Sequence, residues 1–92
     1  MDYVRAHVHI SGRVQGVNFR AWLRDRAREV QVMGWVRNLS DGRVEAVFEG
    51  GRAAVQRMVS QCYSGPIRAE IERVEVAWET PTGNEGTFSI IW

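Results

Sequence analysis

Lysine is absent from this sequence, cysteine occurs once, proline twice, and the net charge is only +1. Each shortage excludes something. A lone Cys62 forms neither an intrachain disulfide nor a cysteine zinc cluster, which points to a reducing, cytoplasmic setting. Its place in an amphipathic pattern predicts a buried thiol rather than a nucleophile. A charge near zero gives little long-range attraction for nucleic acid. No apolar run approaches membrane-spanning length, and no signal peptide precedes Tyr3, so no membrane association is expected. All twelve basic residues are arginine. Arginine presents a planar fork that matches phosphate or carboxylate. Composition bias in the coding genome accounts for most of that excess, so individual arginines must be judged by position.

What is present reads as one domain over residues 1–92. Val4, Ala6, Val8 and Ile10 alternate with Arg5, His7 and His9, the period of a half-buried strand. SGRVQGV then reads as a loop punctuated by Gly12 and Gly16. From Phe19 the period becomes helical, with Phe19, Trp22, Leu23, Ala27 and Val30 on one stripe, and the helix must end before Gly34. Residues 35–39 and 43–49 read as strands joined by the hairpin signal Ser40-Asp41-Gly42. A second helix is expected over 52–62, with Val55, Met58, Val59 and Cys62 inward, closed by Ser64-Gly65-Pro66. A fourth strand lies within 69–79. Its apolar phase slips between Ile71 and Val74, which predicts a bulge or a late strand start. Phe88, Ile90 and Trp92 alternate in a short terminal strand. This βαββαβ order, with one apolar face per element, implies an α+β fold. It is the ferredoxin-like split βαβ sandwich, an antiparallel sheet with two helices on one face.

Two polar features stand out. SGRVQGVNFR follows a strand and opens a helix. Glycines let backbone amides converge into a nest, and the first amides of a helix attract anions. Arg20, in the first helical turn, would close such a site with a charge-assisted fork. The stretch lacks the lysine and hydroxyl residue of a nucleotide-binding P-loop, and from pattern alone a plain structural turn is the better reading of the glycines. Asn38 falls on the same strand face as Val36. It either caps the strand end or presents an amide that holds a water. His7 and His9 share a face, but no third ligand stands at metal-like spacing, so they read as sheet-face histidines. Glu70, Glu72, Glu75 and Glu79 read as a solvated face. No metal centre or cofactor is expected.

These stretches carry a resemblance to the acylphosphatase family. SGRVQGVNFR resembles its phosphate-binding loop, and GWVRNLSDGRVEAVFEG resembles its second signature, in the expected order along nearly the whole chain. At 92 residues the chain resembles the stand-alone enzymes more than the modules found in larger maturation proteins. The resemblance implies metal-independent hydrolysis of the carboxyl–phosphate anhydride bond of small acyl phosphates. It implies that Arg20 binds phosphate, that Asn38 orients the attacking water, and that backbone amides of Gln15, Gly16, Val17, Asn18, Phe19 and Arg20 form the cradle. A monomer is expected. The competing readings are a silent anion-binding domain and an RNA-binding module. The second is disfavoured because the outward positions Glu45, Val47 and Glu49 make a poor base-stacking platform.

Overall fold

In the computed structural model, which describes residues 2–92, five strands and two helices alternate as β1 (Tyr3–Arg13), α1 (Phe19–Glu29), β2 (Met33–Asn38), β3 (Val44–Gly51), α2 (Arg52–Ser64), β4 (Glu70–Glu79) and β5 (Ser89–Ile90). Met1, part of the domain expected over 1–92, lies outside the described residues. The strand order is β4-β1-β3-β2-β5. β1 lies antiparallel to β3 and to β4, and β3 antiparallel to β2. Each helix therefore connects two parallel strands with a third strand between them, which is the split βαβ arrangement. The terminal strand joins β2 in parallel, so the sheet is antiparallel through four strands and mixed at one edge.

The alternation in β1 sends Val4, Ala6, Val8 and Ile10 into the core, where they meet Phe19, Leu23 and Ala27 of α1 and Val55, Met58 and Cys62 of α2. Burial of apolar surface on this one face is the main favourable contribution to folding. Cys62 is fully buried and its thiol is pushed well above its usual value by desolvation, in keeping with a packing role.

Several boundaries differ from the sequence expectation, β2 among them, which starts at Met33 rather than Trp35. Ser11, Gly12 and Arg13 continue β1 instead of entering the loop. Gly50 and Gly51 also stay in strand, and α2 runs on to Ser64. The predicted bulge sits in β4 at Glu72, where pairing steps from Ser11–Arg73 to Gly12–Ile71. Gly12 serves this bulge. Its φ of 126° and the carbonyl oxygen of Glu70, which a Cβ would strike, both require glycine.

The open face also departs from expectation. The outward-facing Glu45, Val47 and Glu49 are buried. Arg5 explains much of this, because its guanidinium reaches Glu49 at 3.0 Å, Glu79 at 2.9 Å and Glu85 at 2.8 Å. Glu49 also accepts the backbone amides of Thr82 (3.1 Å) and Gly83 (2.8 Å), which ties the 80–87 loop to the sheet. Burial alone would raise the carboxyl pKa of Glu49. The two amides and Arg5 outweigh it and hold the group below its ordinary value of 4.5.

A carboxyl with a depressed folded-state pKa contributes stability above its unfolded value, and loses that contribution as pH falls through the folded value. Thermal melts from pH 7 to pH 3 should therefore show stability falling below about pH 4.5. Glu49→Gln should cost about 3 kcal/mol at neutral pH and flatten that acid limb. A variant with an unchanged slope would show that Glu49 does not drive the dependence.

Candidate active site

The loop Val14–Asn18 leads from β1 into α1 through two left-handed residues, Gly16 (φ 75°) and Asn18 (φ 70°). Glycine and asparagine bear this conformation at the least steric cost. Asn18 makes no side-chain cap to the helix. The first α1 amides thus keep their outward valences, since helical geometry offers them no internal partner. Among the described residues, the amides of Gly16, Val17 and Asn18 likewise meet no protein acceptor. This cluster of unsatisfied donors is a local positive potential built from backbone alone.

A cleft of about 340 Å³ opens over this loop. Gln15, Gly16, Asn18, Phe19, Arg20 and Asn38 line it together with Val14, Ala21, Arg24, Ile90 and Trp92. The structure thus brings Arg20 and Asn38 to one cavity, although eighteen positions and a whole helix separate them. Of the expected cradle residues, Val17 alone does not line the cleft. Its side chain joins the core. Arg20 makes no ion pair among the described residues, and its guanidinium stands 5.2 Å from the centroid of the Trp92 ring. An arginine left without a carboxylate in a small cleft retains its full attraction for an anion.

Asn38 ends β2 opposite Val44 of β3. Its Oδ1 is buried and has no hydrogen-bond partner. A buried carbonyl oxygen without a donor carries a penalty of about 1–3 kcal/mol, which a bound water would relieve. The reading of Asn38 as a simple strand cap is not supported, because that oxygen bonds to no backbone group.

Gln15 couples the two halves of the site. Its side-chain amide donates to the carbonyl oxygens of Leu39 (2.8 Å) and Arg43 (2.9 Å), the two residues that close the β2–β3 hairpin. The cradle loop is therefore fastened beside Asn38. The terminal segment is fastened too. Phe88 is buried against Phe48 with ring centroids 5.4 Å apart, and the amide of Ile91 donates to Val36. That packing delivers Ile90 and Trp92 to the rim.

Sequence reasoning passed over Arg24, Ile90 and Trp92. Arg24 stands four residues after Arg20, hence on the same helix face, and that spacing is the signal that identifies it. Its guanidinium also pairs with Asp25 at 3.1 Å, so only part of its charge is turned toward the cleft. The position of the terminal segment depends on the parallel β2–β5 pairing, which no local pattern announces.

Comparison with known proteins places the chain in a family. The acylphosphatase family matches residues 6–90. The chain is 75% identical to an acylphosphatase of Chloroflexus aurantiacus over 92 residues, covering all of both chains. It is 73% identical to one of Roseiflexus sp. (strain RS-1), covering 100% of this chain and 99% of the relative. The crystal structure of acylphosphatase from Bacillus subtilis matches with a TM-score of 0.92 at 31% identity, covering 97% of this chain and 99% of that one.

Gln15→Ala removes both bonds between loop and hairpin. It should cost about 1–3 kcal/mol in chemical denaturation and weaken inorganic phosphate binding roughly tenfold. Unchanged phosphate affinity would mean that the loop holds its shape without this tie.

Proposed function

This chain belongs to the acylphosphatase family and is an acylphosphatase enzyme, and from that premise we propose how its cleft hydrolyses a small acyl phosphate. The observation that carries the reading is a single cleft bounded by an unpaired arginine, unsatisfied backbone amides and the unpartnered Oδ1 of Asn38. The phosphoryl group enters the cradle formed by the amides of Gln15, Gly16, Val17, Asn18, Phe19 and Arg20. The Arg20 guanidinium neutralises its equatorial oxygens. Donors that are already in place need no reorganisation as charge shifts in the transition state, which is where their stabilisation counts.

Asn38 accepts one O–H of a water through Oδ1 and holds the water oxygen in line with phosphorus. The water's oxygen forms the new P–O bond while the bond from phosphorus to the acyl oxygen breaks. The acyl group leaves as a carboxylate, and the water's proton passes to a phosphoryl oxygen of the substrate. A carboxylate is a good leaving group, so the step needs neither a strong protein acid nor a metal. Positioning and charge stabilisation suffice. The acyl chain lies toward the open rim beside Ile90 and Trp92, and Arg24 adds positive charge at the same helix face. The enzyme acts as a cytoplasmic monomer in this reading. No helix of the described residues is long and apolar enough to cross a membrane.

Steady-state hydrolysis of acetyl phosphate or benzoyl phosphate should persist in EDTA. Arg20→Ala should abolish phosphate inhibition and turnover together. Arg20→Lys should recover little, because a point charge does not replace a planar fork. Asn38→Ala should lower kcat by roughly 10²–10³ with phosphate inhibition nearly intact. Equal losses of binding and turnover in the Asn38 variant would argue against a water-positioning role. A steep pH dependence of kcat traced to a protein carboxylate or histidine would contradict proton transfer to the substrate.

A further inference from the structure

The face of the sheet opposite the helices carries a second cluster, which hydrolysis does not use. His7 and His9 project from the same face of β1 with ring centroids 5.1 Å apart. Along the chain the pair has no third ligand at a useful spacing, but the strand ladder supplies one. Glu45 lies directly across from His9 on β3. Its Oε2 is 2.6 Å from Nε2 of His7 and 3.5 Å from Nε2 of His9. One ligand atom from each of the three residues lies within 4.8 Å of the others.

We propose that His7, His9 and Glu45 form a binding site for a divalent transition-metal cation of the zinc type, joining β1 to β3. With bonds of about 2.0 Å, tetrahedral zinc keeps its ligand atoms roughly 3.3 Å apart. The His9–Glu45 separation already suits it. The His7–Glu45 contact, a hydrogen bond without the metal, has to open by about 0.7 Å, within reach of a small side-chain rotation.

The surroundings fit a metal as well. Nδ1 of His7 lies 2.8 Å from Oε2 of Glu79, and Oε1 of Glu45 accepts from Nε of Arg37 at 2.6 Å. An imidazole that gives its other nitrogen to a carboxylate has its tautomer and ring angle set for ligation through Nε2. The side chains of His7 and His9 are 24% and 30% exposed, so a cation reaches them from solvent. Glu75, the register partner of His9 on β4, borders a recess with both histidines, but only His7, His9 and Glu45 bring ligand atoms together, so water completes the coordination. Arg43 also borders the recess, but its guanidinium is held by Asp41 at 2.8 Å. Two imidazoles select zinc-like cations over magnesium and calcium, which prefer oxygen ligands. The metal would act as a structural clamp, remote in role from the phosphate cleft.

Calorimetric titration of EDTA-stripped, dialysed protein with Zn²⁺ tests this. One equivalent should bind, Mg²⁺ should give no saturable heat, and a hundredfold excess of Zn²⁺ over Kd should raise Tm by on the order of 10 °C. His9→Ala removes a ligand whose contacts are the 3.5 Å approach to Glu45 and the stacking on His7. The metal-free melt of this variant verifies its folding, and its Zn²⁺ affinity should fall more than hundredfold, beyond the loss seen for outer partners. Ring ¹⁵N shifts of the wild-type protein, which need no variant, should move at Nε2 of both histidines. Absence of Zn²⁺ binding by the wild type, unchanged affinity in His9→Ala, or metal shifts confined to other groups would each overturn the site.

Discussion

β1 is hydrogen-bonded along both edges, to β3 and to β4, and that double pairing constrains everything else in the molecule. A one-residue slip would turn Val4, Ala6, Val8 and Ile10 out of the core and push Arg5, His7 and His9 into it. The register is therefore held by burial on one face and by ion pairs on the other. The same strand ends at the Val14–Asn18 loop. Its position sets where the amides of that loop point, and the bulge opposite Gly12 lets the strand end bend without breaking the ladder.

The cleft draws on three separate parts of the chain, and each is tied down by a different interaction. The loop is fastened through the side chain of Gln15, Asn38 through the β2–β3 ladder, and the rim through Phe88 packing on Phe48. What those ties preserve is a set of polar groups without protein partners. Arg20 and the loop amides keep no protein acceptor among the described residues and stay open to solvent, while the buried Oδ1 of Asn38 has no partner, a cost in stability that the ion network on the far face helps to offset. Functional sites commonly concentrate such local departures from otherwise consistent folding rules.

Period and turn chemistry made most of the fold readable. The phase slip between Ile71 and Val74 announced a real bulge, and Asp41-Gly42 announced a real hairpin. Strand limits near glycine were not readable, because Gly12 and Gly50 extend their strands through long-range pairing rather than local preference. The burial of Glu45 and Glu49 was hidden for a similar reason. A lone glutamate in an alternating pattern reads as solvated, and only the fold shows Arg5, His7 and Arg37 converging on the pair. At the site, Arg20 and Asn38 were visible through motif resemblance, which carries order along the chain but no distances. Arg24 and Trp92 required the structure, since their places at the cleft come from helix phase and from the parallel edge strand.

The central claim is a division of labour, with phosphate held by the loop and Arg20 and water held by Asn38. A crystal structure with bound orthovanadate tests it most directly, because vanadate adopts the five-coordinate geometry of an in-line transfer. The account predicts equatorial oxygens on the loop amides and the Arg20 guanidinium, and an apical oxygen about 2.7–3.1 Å from Oδ1 of Asn38. Vanadate seated in the cradle with its apical oxygen turned away from Asn38, or seated elsewhere altogether, would contradict it.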